Sequence, residues 1–139
     1  MTVIQARNEL AERLATIDGL RVYGYPPDTL PELPAAIIQP GEPLAEYHRV
    51  MGADDVCYRF SVLLLTRSAD EGQAWEEAAG YVAPSGAGAV PAAVEQAAAE
   101  SAVADWFRVV KAGNAGRVAF NRSAYWGVTF QVVAYVSGD

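Results

Sequence analysis

The sequence predicts an α+β domain: a mainly antiparallel sheet with an N-terminal helix and two central helices packed on one face, plus a projecting β-hairpin. Three observations carry this expectation. An apolar stripe at helical spacing opens the chain, stretches of two-residue alternation follow, and two Ala-rich helical patterns separate the early strands from the late ones.

Thr2 is placed to cap the first helix, with Gln5 three residues on completing a capping-box pattern. Val3, Ala6, Leu10, Leu14 and Ile17 then recur at spacings of three and four, one apolar stripe of an amphipathic helix. Asp18-Gly19 stops it, since glycine readily takes the left-handed conformation a helix end needs. Leu20 to Tyr25 alternates and reads as a strand ended by Pro26-Pro27. The stretch from Pro26 to Pro34 holds four prolines and is a stiff loop. Ala35 to Gln39 reads as a short internal strand, and Pro40-Gly41-Glu42-Pro43 as a break.

Leu44–Val50 and Val56–Arg67 read as two arms of a hairpin around residues 51–55. In the second arm Val56, Tyr58, Phe60, Val62 and Leu64 share one face, and Cys57, Arg59, Ser61, Leu63 and Leu65 share the other. A strand of about twelve residues spans roughly 40 Å, more than a small domain needs, so the tip is expected to project. Ser68 to Glu71 opens a second helix with Trp75, Ala78, Ala79 and Val82 on its apolar side. Pro84 to Gly88 is a break, and Val90 to Asp105 a third helical pattern opened by Pro91. Trp106 to Ala112 is strand-like, Gly113 to Gly116 a turn, and Arg117 to Phe120 strand again. A last strand covers about Ser123 to Val136.

A chain of 139 residues, 52% hydrophobic and 19% charged, is expected to form one globular domain over residues 1–139. No apolar run approaches the length of a membrane span, and the opening residues carry charges of both signs without a signal-peptide core, which argues against export. The net charge of −7 argues against gripping nucleic acid over the whole surface. The charge is unevenly spread: residues 28–105 hold thirteen acids against three bases, while residues 106–139 hold Arg108, Lys111, Arg117 and Arg122 against Asp139 alone. Such asymmetry is either solvated faces or one acidic and one basic surface able to meet copies or a partner.

Catalytic vocabulary is thin, and no catalytic residue, cofactor or metal is expected. Cys57 is a lone cysteine in a strand, and lone His48 cannot build a His-rich metal site. Gly86-Ala87-Gly88 resembles a piece of a phosphate loop, but no Gly-Lys-Ser/Thr follows. The acid pairs Asp54-Asp55, Asp70-Glu71 and Glu76-Glu77 lack further ligands at useful spacing and read as solvated charge. Trp106, Phe107, Tyr125, Trp126 and Phe130 interleave with the four late bases, as in single-strand nucleic-acid binders, yet core packing with a basic rim is the preferred account.

The order of these parts resembles the tail terminator (minor tail, head–tail joining) proteins of long-tailed, siphovirus-type phages. The residues that carry the resemblance are Ile17 to Tyr23, Tyr25-Pro26-Pro27-Asp28, Pro34 to Ile38, Glu46-Tyr47-His48, Tyr58 to Leu64, Ser85 to Glu95 and Tyr125 to Val132. The resemblance covers nearly the whole chain, and its motifs are patterns of strand, glycine and proline rather than chemical fingerprints. The resemblance implies a small structural subunit, made in the host cytoplasm and resident in the virion neck. Such subunits form a closed ring, usually hexameric, on the head-proximal end of the tail tube. The implied partners are other copies, the tail tube protein and a head-completion protein, with genomic DNA crossing the lumen without specific binding and no membrane involved. An acidic lumen would repel the DNA phosphates.

Two groups of residues are the expected subunit or partner interface: Tyr47, His48, Arg49, Val50, Met51, Asp54, Asp55 and Arg59 around the hairpin tip, and Arg117 and Arg122 beside the last turn. The competing readings are another neck or tube subunit and, in a different class, a small ligand-binding or enzyme domain. The last would use a pocket between the Pro-rich loop and the aromatic C-terminal strand.

Overall fold

In a computed structural model of the chain, residues 2–28, 32–50, 53–68, 70–96, 104, 106–120 and 122–137 are described, with Arg49, Val50 and Ala53 described in backbone only. The order is α1 (Val3–Leu14), β1 (Arg21–Tyr23), β2 (Ala35–Val50), β3 (Ala53–Leu65), α2 (Glu71–Val82), α3 (Val90–Val94), β4 (Trp106–Phe120) and β5 (Ser123–Val136). The five strands form one sheet in the order β1-β2-β3-β5-β4, antiparallel except for the β1–β2 pair. The α+β expectation is met.

The apolar stripe of α1 does what its spacing implies. Thr2 Oγ1 accepts from Gln5 N at 3.3 Å and Gln5 Oε1 accepts from Thr2 N at 2.8 Å, closing the capping box. Ala6, Leu10, Leu14 and Ile17 are buried, and Gly19 takes φ +80° where the chain turns toward β1. Their partners are the even-numbered residues of β3 and β5, Phe60, Val62 and Leu64 against Val132, Phe130 and Val128 in register. Val90 and Val94 of α3 join this core, and α2 sets Ala74 and Ala78 against Trp126 at the end of β5. All three helices therefore lie on one face of the sheet.

Four expectations change, each for a physical reason. The proline-rich break at residues 40–43 does not end a strand. It is a bulge inside β2, where Pro40 pairs with Phe60 and Ala45 with Tyr58, so five steps on β2 match two on β3. Proline is tolerated because β1 covers only Ala35–Ile37, leaving the outer edge of β2 unpaired beyond that point. The expected turn at Gly113–Gly116 is likewise an irregularity within β4, accommodated by Asn114 at φ 54° and Gly116 at φ 150°. The eight elements observed replace the ten expected because each of these breaks joins two strands into one.

The third helix is shorter than its pattern. It ends at Val94; Glu95 is a turn, Gln96 and Ala104 are bends, and residues 97–103 and 105 of the expected helix lie outside the described residues. Side chains have taken the carbonyls that a longer helix would use: Arg13 Nη1 donates to Val94 O and Gln96 O, and Gln96 Nε2 donates to Ala93 O. In α2 the buried side is Ala74 and Ala78. Trp75, Ala79 and Val82, expected inside, are exposed, because the buried Trp126 ring is covered by Ala74 and Ala78 and Trp75 meets it only from the solvent side.

Candidate functional site

The hairpin tip is built by the β2–β3 pairs Tyr47↔Val56, His48↔Asp55, Arg49↔Asp54 and Val50↔Ala53. Val56↔Val136 is the last pair between β3 and β5, so the three tip pairs beyond it have β2 and β3 alone. That overhang is about 10 Å at the rise of a strand. Tyr47 is 70% exposed, and His48 and Asp54 are exposed as well. Met51 lies outside the described residues.

Asp55 is half-buried because the Tyr135 hydroxyl donates to its Oδ2. Tyr135 in turn lies flat on Trp106, ring centroids 5.2 Å apart and planes 4° apart, and the Arg108 guanidinium sits 5.2 Å from the Trp106 centroid. Trp106 and Tyr135 are register partners on β4 and β5 and face away from the helices. Sequence reasoning missed this stack. The signal available was Trp106 and Arg108 two apart on one strand, but only the register supplies Tyr135 between them and Asp55.

Arg59 is held within the subunit. Its Nε donates to Glu46 Oε1 at 2.7 Å, a cross-strand ion pair on the same helix-free face. Cys57 is the register partner of Glu46, two residues before Arg59 on β3, and burial is the first reason its thiol is held above its ordinary pKa. Arg59 opposes the shift, while Glu46 and Asp55 add to it. The thiol thereby holds its proton more firmly than a free one does.

Arg117 and Arg122 are both exposed but sit at the other end of the sheet. Val136 is level with Val56 at the tip, Gly127 is level with Leu65 nine residues back, and Arg122 lies beyond Ser123. The nine residues alone span about 30 Å. The structure therefore separates the candidate residues into two ends and does not assemble them into one site.

The clefts lined by described residues include two of similar size. One, of about 380 Å³, lies between the end of α1, the loop residues Glu32 and Leu33, and Arg67. The other, of about 430 Å³, is walled by Val82, Pro84, Pro91, Glu95 and Lys111 and reaches Phe130. Neither joins the Pro-rich loop to the C-terminal strand. Among the described residues no group of three or more His, Cys, Asp or Glu side chains is placed to hold a metal ion. No helix among them is long and apolar enough to cross a membrane.

The chain matches no protein-family model and no curated protein.

Proposed function

We infer that the chain is an assembly subunit that closes into a ring by contacts between unlike surfaces. Within that class, the reading favoured is a tail terminator of a long-tailed phage, resident in the virion neck. The observation that supports it is the sheet with two long unpaired edges pointing in opposite directions. One is β4, whose residues Trp106–Phe120 carry Arg108, Lys111 and Arg117 and no acid. The other is β2 beyond Ile37, where Glu42, Leu44 and Tyr47 are exposed. Edges of unlike chemistry on opposite sides suit a heterologous contact, and such a contact makes a ring when its rotation closes.

In this reading the ring caps the head-proximal end of the tail tube, stops its growth and offers its other side to a head-completion protein. The net charge of −7 suits a passage through which DNA moves without adhering. Size-exclusion chromatography with light scattering tests the class: the expected mass is a fixed multiple of the 14.8 kDa chain, six-fold for a hexamer. Adding the protein to polymerising tail tube protein tests the particular role, with shorter tubes bearing a cap at one end as the expected result. A tube that grows from this chain alone would favour a tube subunit, and a monomer that leaves tube length unchanged would overturn the proposal.

A further inference from the structure

The free edge of β2 carries a knob. Across the bulge between Pro40 and Ala45, Gly41 stays buried against the Arg59 backbone, while Glu42, Pro43 and Leu44 are exposed. Leu44 is 40% exposed. Pro40 and Pro43 fix φ on either side of Glu42, so little freedom is left to lose when this segment meets a partner.

On the far side of the sheet, beyond β3 and β5, lies a hole. The cleft of about 430 Å³ has an apolar wall of Val82, Pro84 and Pro91, with Lys111 at β4 and the acid Glu95 beside it. It is unsuited to strand addition, because Val109 already donates its N–H to Glu95 Oε2 at 2.8 Å and the prolines have no N–H. What it suits is a side chain. Lys111 and Glu42 each hold no ion pair among the described residues. Knob and hole match in kind, leucine to the wall of Val82, Pro84 and Pro91 and the Glu42 carboxylate to the Lys111 ammonium, while the Glu95 carboxylate is engaged by the Val109 N–H.

We propose that Glu42-Pro43-Leu44 of one copy seats in the cleft formed by Val82, Pro84, Pro91 and Lys111 of the next. Leu44 enters the apolar cleft and Glu42 meets Lys111. Each copy uses its knob on one side and its hole on the other, so the contact repeats head to tail. This joint rests on the ring reading above and specifies which surfaces make it.

The test is cross-linking of the full chain carrying Leu44→Cys and Val82→Cys, with Cys57→Ser to remove the native thiol, using a short bis-maleimide. Leu44 and Val82 are 40% and 41% exposed, so both changes leave the core intact. A ladder beyond dimer is expected only when both cysteines are on the same chain, and a mixture of the two single variants should stop at dimer. Glu42→Lys or Lys111→Glu alone should lower the yield several-fold, and the two together should restore it. A ladder ending in one closed species supports both the joint and the ring. A ladder that runs on without end supports the joint and overturns the closed ring. Absence of a ladder from a protein that light scattering shows to be assembled overturns the joint and leaves the ring standing. Absence of both ladder and assembly at high protein concentration overturns the two together.

Discussion

Arg13 of α1 donates from Nη1 to the carbonyl of Val94, the last residue of α3, at 2.8 Å, although 81 positions separate them in the chain. The same nitrogen reaches Gln96 O at 2.7 Å, the guanidinium sits 4.7 Å from the Phe107 ring centroid, and Nη2 pairs with Glu9. Glu9 Oε2 accepts from Ala104 N. One buried ion pair thus holds both ends of the segment between Gln96 and Ala104.

Removing the cation from this arrangement takes away the ion-pair partner of Glu9, which keeps the Ala104 N–H, and the side-chain donor of two carbonyls. Arg13→Ala is expected to cost about 3–5 kcal/mol, the range for breaking one partner out of a buried pair. Arg13→Ala combined with Glu9→Gln should cost less than the sum of the two single changes. Denaturant unfolding of the four proteins in this cycle measures it, and additive costs would show that the two side chains act separately.

Trp126 and Phe130 are almost wholly buried on the helix-covered face, Trp126 against Ala74 and Ala78 and Phe130 in the main core. Replacing either with alanine should cost about 3–5 kcal/mol through lost burial and the cavity left behind. Trp75 packs on Trp126 at 5.6 Å between centroids but is 57% exposed, so Trp75→Ala should cost only about 1 kcal/mol, the value of an aromatic pair. Thermal melting separates the cases: equal losses for Trp75 and Trp126 would contradict the burial difference.

Two glycines sit where a side chain has no room. A Cβ on Gly41 would lie 2.7 Å from the carbonyl carbon of Arg59, and one on Gly127 would lie 2.8 Å from Leu64 O. Backbone atoms in a sheet cannot swing aside as a flexible side chain does. Gly41→Ala and Gly127→Ala should each lose about 1–3 kcal/mol, the usual cost of overpacking. Gly80→Ala in α2, where a Cβ meets nothing within 4 Å, should instead gain up to about 1 kcal/mol from helix propensity.

How far these features could be read from sequence depends on their range. The stripe from Ala6 to Ile17 and the alternation from Ser123 to Val136 were legible because period alone decides a helix or a strand that is covered on one side. The bulge at residues 40–45 was read as a break because local proline content is the same for a turn and for a bulge on a free edge; only the absence of β1 beside it decides. The apolar residues of α2 put Trp75, Ala78, Ala79 and Val82 on one side, and only Trp126 arriving from β5 decides that Ala74 and Ala78 are the pair that is buried. For the interface candidates, strand length hinted at the overhang near Tyr47 and Asp54. That Arg117 and Arg122 lie at the opposite end follows from the β3–β5 register, which no local pattern encodes.

Alkaline pH offers a separate check. Burial raises the Cys57 thiol above its ordinary pKa and does the same, with help from Glu77, to the Tyr81 hydroxyl. Both groups keep their protons more firmly folded than unfolded. Their contribution to stability is therefore complete below the ordinary thiol and phenol values and is lost as pH rises through the raised, folded ones. Stability should fall across that alkaline range, and Cys57→Ser should remove the thiol part of the fall. Alkylation of native Cys57 should also lag behind that of the unfolded chain at mildly alkaline pH. Equal alkylation rates would show the thiol to be unshifted and open.

The final expectation concerns Arg117 and Arg122, two exposed cations near the turn joining β4 to β5. Exposed surface changes away from caps and cores alter stability by about 0.5 kcal/mol or less. Arg122 takes φ 68°, so the backbone there is strained before any substitution and glutamate adds little to it. Folding of the Arg117→Glu, Arg122→Glu double variant should therefore be close to that of the parent. Assembly should not be. If these cations meet acids of a neighbouring copy or of a docking protein, reversal turns attraction into repulsion, and in the parent the attraction should fade as salt shortens screening to about 8 Å. Oligomer mass and thermal midpoint, measured side by side at low and high salt, decide it. A mass that is unchanged and insensitive to salt would place the subunit joint away from Arg117 and Arg122.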